Sequence, residues 1–102
     1  MYAAMNKTQL NFTRRALADY DDIMRYTLQR WGKKQWSSYK IILDKAFGKI
    51  AENPGIGKAR YGLKMYTAGK HCIFYRVRDK VIYILRILHQ RMDFPQHLTF
   101  HA

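Results

Sequence analysis

The sequence has one cysteine, Cys72, and two prolines among its 102 residues. A single thiol excludes an intramolecular disulfide and a cysteine-built metal site. That usage predicts a reducing, cytoplasmic compartment. No apolar run approaches the ~18 residues of a membrane-spanning helix. The stretch over residues 1–11 lacks the apolar core of a signal peptide. Met5 is a second start-like methionine, which leaves the nativeness of residues 1–4 open. Acidic residues are also scarce: seven Asp+Glu stand against 19 Lys+Arg, a formal charge of +12. No internal repeat or low-complexity segment is present. Hydrophobic residues are abundant at 48%, which excludes a disordered polybasic tail. The length predicts one domain over residues 1–102. That is too little chain for a multidomain cofactor-dependent enzyme, so no cofactor is expected. Like charge at this density opposes compaction unless a partner neutralises it. Nucleic acid, an anionic membrane surface and an acidic protein all qualify by charge.

Glycine and proline cluster at Asn53-Pro54-Gly55-Ile56-Gly57 and divide the chain into a helical half and a strand half. Residues 9–12 alternate and predict an edge strand. Thr13 offers an N-cap to a first helix with the apolar stripe Ala16, Tyr20, Ile23, Met24, Leu28 and Trp31. Thr27 interrupts that stripe, and its hydroxyl can bond back to the preceding turn. Asp19, Asp21 and Asp22 lie towards the helix N-terminus and Arg30 near its end, as the helix dipole favours. Gly32 is the stop. A second stripe, Trp36, Tyr39, Ile42, Leu43, Ala46, Phe47 and Ile50, predicts a second helix ending before Pro54. Residues 63–67, 71–77 and 81–89 are rich in aromatic and β-branched side chains and predict three strands. Asp79-Lys80 joins the last two as a two-residue hairpin connection. Residues 81–85 are apolar without alternation, so both faces of that strand should be covered. Residues 90–102 predict a turn or short helix. The order β-α-α-β-β-β predicts an α+β domain, a helix hairpin on a mostly antiparallel sheet.

Several segments carry a family pattern. Ala16, Asp19, Asp21-Asp22-Ile23 and Tyr26 form one, and Arg30-Trp31-Gly32 with Gln35 a second. Ala51 to Gly57, then His71 to Val77, supply the third and fourth. Arg86 to Asp93, with His97-Leu98, complete the set. In this order and spacing the chain resembles the ParE branch of the RelE/ParE toxin superfamily. The resemblance implies the toxin half of a type II toxin–antitoxin pair, with growth arrest and plasmid maintenance as its setting. ParE members of that superfamily poison DNA gyrase; RelE members cut mRNA on the ribosome. It also implies a cognate, acidic, ParD-like antitoxin in a hetero-oligomer. The +12 charge suits such a partner, and an apolar helix hairpin suits an amphipathic helix.

Three sets of residues are candidates for function. Tyr20, Tyr26, Trp31, Trp36 and Tyr39 on the hairpin are candidates for antitoxin binding. Trp31 and Trp36 are expected chiefly to close the core at the hairpin corner, whereas Tyr26 falls off its stripe and should be exposed. Arg86, His89, Arg91, Met92 and Asp93 leave the end of a central strand and are candidates for target binding, with arginine and methionine favoured at interface cores. Asp93 can alternatively cap the final turn or pair with Arg91 or Arg86. Arg76, Arg86, His89 and Arg91 are the set a nuclease would use, with a base and cations for the phosphorane. No tyrosine follows Tyr83 to serve as the acid, so a binder of gyrase is favoured over an mRNA endonuclease. Gly55-x-Gly57-Lys58 lacks P-loop spacing and predicts a turn. His71, His97 and His101 have no metal-ligand spacing, and Cys72 reads as a small buried hydrophobe. No membrane partner is expected. Direct nucleic-acid binding is permitted by charge but unsupported by any helix-turn-helix or aromatic-platform motif.

Overall fold

The computed structural model describes residues 9–98; the question of residues 1–4, and His101, lie outside them. The chain runs through β1 (Gln9–Phe12), α1 (Arg14–Trp31), α2 (Lys33–Glu52) and a 3-10 turn at Pro54–Ile56. Then come β2 (Lys58–Arg60), β3 (Leu63–Ala68), β4 (His71–Arg78), β5 (Val81–His89) and the single-turn α3 (Phe94–His97). The strands form one sheet in the order β1-β5-β4-β3-β2. Every neighbouring pair is antiparallel except β1 with β5. The α+β architecture is therefore as the sequence predicts, with β1 as an edge strand. One strand was not expected. Lys58–Arg60 pairs antiparallel with β3 and forms the opposite edge, where the sequence predicts only a turn leading into a strand. Its three residues are all exposed and carry no buried face to signal a strand.

Local chemistry explains the helices. Thr13 caps α1: its hydroxyl accepts the Ala16 amide at 3.1 Å and donates to the Leu85 carbonyl at 3.0 Å. The cap thus also ties the helix start to β5. Gly32 ends α1 at φ 92°, a left-handed conformation that favours glycine. Along α1 the buried face runs through Thr27, whose hydroxyl donates to the Ile23 carbonyl at 2.7 Å. That back-bond satisfies the hydroxyl and lets a polar residue occupy a core position.

The sheet is covered on both faces. The helices cover one, where Leu43, Phe47 and Ile50 of α2 pack with Ile73, Tyr75 and Ile84. On the other face Cys72, Phe74, Leu85 and Leu88 pack with Phe94 and Leu98 from the C-terminal segment. Cys72 is buried there as expected. The unalternating run in β5 is explained by this double cover and by a bulge: Ile84 opposes Tyr75 and Arg86 opposes Phe74, leaving Leu85 between them unpaired. The extra residue lets Ile84 and Ile87 both face the helices, and Leu85 and Leu88 both face away. In the β4–β5 connection Asp79 and Lys80 take φ of 52° and 64°, the twist that a two-residue hairpin requires.

The 3-10 turn is held from inside. The buried Tyr75 hydroxyl donates to the Pro54 carbonyl at 2.8 Å and accepts the Gly57 amide at 2.9 Å. A Cβ on Gly57 would stand 2.6 Å from that oxygen. Space, rather than an unusual φ, therefore demands glycine, and the turn reading of this loop stands.

Candidate functional site

Beyond Phe12, β5 loses its β1 neighbour, because β1 pairs only with Val81 to Ile84. The polar edge left exposed is closed by side chains from α1. Thr13 takes the Leu85 carbonyl, and Asp19 accepts the Ile87 amide at 2.9 Å. Asp19 also receives Arg86 through Nε at 2.8 Å and a terminal nitrogen at 3.0 Å. The other terminal nitrogen of Arg86 donates to the His97 carbonyl at 2.9 Å. Each side chain of the pair is only 13% exposed. A forked guanidinium on a carboxylate is the strongest such geometry, and here it fastens helix, strand edge and C-terminal segment together. Asp19 was read as a helix-dipole residue and as part of the first-helix family pattern; its structural role depends on a contact 67 residues away that neither reading announces.

Past this clamp lies a groove of about 450 Å³ between the end of α1, the start of α2 and the end of β5. Ile23, Tyr26 and Trp31 come from α1, Tyr39 from α2, His71 from β4, and His89 and Met92 from the end of β5 and the turn after it. Trp31 is 66% exposed and Tyr26 59%. The expectation that Trp31 closes the core is thereby corrected. It lies on the same helical face as Thr27, but the last turn of α1 borders the open groove instead of packed side chains. Trp36 does pack, edge-on to Tyr20 with ring centroids 5.7 Å apart. Tyr26 is exposed as its off-stripe position predicts, with the Arg30 guanidinium 5.8 Å from its ring centre.

The floor of the groove is a hydrogen-bonded chain. The Tyr39 hydroxyl accepts the Lys70 amide at 2.9 Å and sits against His71 Nδ1. The His71 and His89 rings meet edge to face, with centroids 5.2 Å apart. His89 Nδ1 accepts the Arg91 amide at 3.1 Å, which folds the turn after β5. Burial, reinforced by the neighbouring His89, pushes the His71 pKa down to about 4, so its imidazole is neutral at pH 7. Burial raises the Tyr39 pKa, keeping its hydroxyl protonated. Gly69 lines the approach at φ 59°, and a Cβ there would stand 2.8 Å from the Tyr39 ring. Among the described residues no three His, Cys, Asp or Glu side chains gather as metal ligands.

Comparison with known proteins gives the family. The family model described as the ParE toxin of the type II toxin–antitoxin system parDE matches residues 10–94. The chain belongs to the ParE toxin family. It is 43% identical over 90 residues to Toxin ParE1 of Caulobacter vibrioides, covering 84% of this chain and 93% of that one. It is 40% identical over 88 residues to Toxin ParE1 of Mycobacterium tuberculosis, covering 81% and 90%. The fold is similar to a chain of the chromosomal ParDE system from P. aeruginosa, at TM-score 0.70 and 24% identity over 82% of this chain and 97% of that one. A chain of the M. tuberculosis RelBE2 toxin–antitoxin complex aligns at TM-score 0.54 and 23% identity over 81% and 98%.

In this ParE-family toxin the residues singled out from sequence regroup. Tyr26, Trp31 and Tyr39 of the hairpin set share the groove with His89 and Met92 of the strand-end set. Two surfaces read as separate thus meet in one depression. Tyr20 lies apart: its hydroxyl donates to Asp44 at 3.1 Å. Arg91 and Asp93 are exposed on the turn beside the groove. Asp93 occupies the N-cap position of α3, but its side chain makes no capping bond. It pairs with neither Arg86 nor Arg91 among the described residues, and Arg86 takes Asp19 instead. The four nuclease candidates do not converge. Arg76 opposes Tyr83 on the helix-free face, Arg86 is tied to Asp19, Arg91 is exposed, and His89 lies in the groove. His71 and Lys70, which do line the groove, were missed because their contacts with α2 span about thirty residues of chain.

No helix among the described residues is long and apolar enough to cross a membrane.

Proposed function

We propose that this toxin acts in the cytoplasm by binding DNA gyrase through protein–protein contact, and that an acidic ParD-like antitoxin neutralises it. The groove that joins Trp31 and Tyr26 to His89 and Met92 is the contact surface for both. The observation that carries this reading is that shared groove: Tyr26, Trp31 and Tyr39 of the set suited to an amphipathic helix line one place with His89 and Met92 of the set suited to a target. Neutralisation is then occlusion, in which antitoxin bound across the groove excludes gyrase. Exposed tryptophan, tyrosine, methionine and arginine make such a surface apt, because these types dominate interface hot spots and cores. The scattering of Arg76, Arg86, His89 and Arg91 argues against the mRNA endonuclease reading, since proton transfer and phosphorane stabilisation need those groups around one phosphate.

The test is gyrase supercoiling inhibition by the purified protein, with and without the small acidic protein encoded beside it. Wild type is expected to inhibit, the antitoxin to relieve inhibition, and Trp31→Ala and Met92→Ala each to weaken both interactions by about 1–3 kcal/mol. Inhibition that persists in a stable ternary complex with antitoxin would refute the shared groove. Codon-dependent cleavage of ribosome-bound mRNA, lost in His89→Ala, would replace the gyrase reading with the nuclease one.

A further inference from the structure

The polar floor of the groove offers hydrogen-bond donors, while Asp22 and Gln35 stand in its wall on the helices. A hydroxyl has a single hydrogen. Because Tyr39 Oη already accepts the Lys70 amide, its hydrogen goes to its nearest acceptor, His71 Nδ1. The Ala68 carbonyl is the more distant alternative at 3.4 Å. A neutral His71 that accepts at Nδ1 carries its proton at Nε2. His89 accepts the Arg91 amide at Nδ1, so its neutral form also carries the proton at Nε2. Among the described residues neither Nε2 has a hydrogen-bond partner, and no buried side-chain nitrogen or oxygen is left unsatisfied. Neither is buried without a partner, and both rings line the groove.

Among the other polar linings, Thr27 donates to Ile23, whereas the Asp22 carboxylate is exposed at the rim with Arg25 3.8 Å away. Lys70 adds a cation at the edge. Gln35 adds an amide from the start of α2, and Ile23, Tyr26, Trp31 and Met92 make the rest of the wall apolar or aromatic. We infer that the groove is a receptor for a carboxylate carried beside an apolar side chain, the imidazole N–H groups of His71 and His89 taking the carboxylate while Trp31 and Met92 hold the apolar group. Its occupant is an acidic peptide segment of the neutralising partner. That identity rests on the toxin–antitoxin reading above; the chemistry of the receptor does not. A chain of charge +12 attracts an acidic segment, and two neighbouring imidazoles, with ring centroids 5.2 Å apart, give it a register. An arginine- or lysine-bearing segment would leave both donors unmatched, which selects against it.

The experiment uses the whole protein labelled with ¹⁵N at histidine. The probes are N-acetyl-leucine, an isobutyl side chain beside a free carboxylate, and its neutral analogue N-acetyl-leucinamide. In the free protein the ring nitrogen shifts should show His71 neutral, and the neutral form of each ring with its proton at Nε2. N-acetyl-leucine should move the Nε2 signals of both rings saturably at pH 7 and bind about tenfold more tightly than the amide, as a charge-assisted hydrogen bond implies. His89→Ala should abolish that difference. Equal binding of the two probes, no saturable shift at either ring, or an Nδ1-protonated tautomer overturns the receptor. This outcome is separable from failure of the broader reading. Probe binding as expected, with antitoxin affinity unaffected by Trp31→Ala, would leave the receptor standing and remove the antitoxin from it.

Discussion

Replacing Asp19 by alanine tests what holds the open end of β5. The substitution removes the acceptor for two Arg86 hydrogen bonds and for the Ile87 amide. Both ionic side chains are 13% exposed, so Arg86 is left charged, nearly buried and without its partner. Breaking a buried pair from one side costs about 3–5 kcal/mol. The Arg86 bond to the His97 carbonyl survives, which places the expectation at the lower end, about 3–4 kcal/mol. A domain of this size holds roughly 5–15 kcal/mol in all, so the variant gives up a large share. With a urea slope near 1.5 kcal/mol/M, the midpoint should fall by about 2–3 M at unchanged slope. Exchanging the whole pair, Asp19→Leu with Arg86→Met, removes both charges together and should recover most of the loss. The Ile87 amide stays without its acceptor in both, at about 1 kcal/mol. A fall of less than about 0.5 M for Asp19→Ala would refute the claim that this pair closes the sheet edge. Gyrase inhibition retained in the stable double variant would assign Arg86 to the scaffold; inhibition lost there, with the fold intact, would return it to the contact surface.

Three further expectations follow from particular contacts. Gly57→Ala brings a Cβ to 2.6 Å from the Tyr75 hydroxyl, and should cost about 1–3 kcal/mol in urea unfolding; an unchanged midpoint would show that the loop gives way freely. His71 has a folded pKa of about 4 against the ordinary 6.5, so the unfolded chain binds a proton that the folded chain refuses. Its contribution is complete above pH 6.5 and is lost as pH falls towards 4, by at most about 3 kcal/mol; a His71→Phe variant with the same pH slope would refute that source. Antitoxin association should slow steeply as salt rises from 50 to 300 mM, because steering of an acidic partner by a +12 surface is screened over a Debye length of about 10 Å at 0.1 M; a rate indifferent to salt would count against the charge argument.

Much of the fold was legible because its signals are local. The Thr13 cap, the Gly32 stop, the Pro54 boundary and the Asp79-Lys80 hairpin are each set by neighbours within a few residues. Even Thr27, an irregularity in its stripe, was readable, since its back-bond reaches only to Ile23. What escaped depends on distance along the chain. β2 is three exposed residues whose only strand character is a ladder with β3. Trp31 continues the spacing of the core face, and periodicity has no knowledge of where the packed layer ends. The site was legible as residue types rather than as a place. Tyr26, Trp31, Tyr39, His89 and Met92 were all named, but in two groups. Joining them needs the β4–β5 register that sets His71 opposite His89, and a register cannot be read from two apolar strands alone.

The same register explains why the groove persists instead of filling. The core beneath the helices is complete as far as Thr27 on α1 and Leu43 on α2, each fully or nearly buried. One turn further along the hairpin, the residues that would fill the next layer of the core are His71 and His89, whose rings are committed by Tyr39 and by the Arg91 amide to fixed orientations. An imidazole so held cannot turn to find a new acceptor if the space above it is filled. Apolar side chains from Tyr26 and Trp31 therefore gain little by collapsing onto it, since collapse would bury two unmatched donors at about 1–3 kcal/mol each. A ligand that brings an acceptor removes that penalty and lets the aromatic rim close. The C-terminal segment is part of the same construction: Phe94 and Leu98 pack on the far face of the sheet and His97 holds Arg86. Cutting the chain after His89 would strip the second core along with Met92, so the loss of partner binding in such a truncation would report on folding, and only point variants in the groove report on recognition.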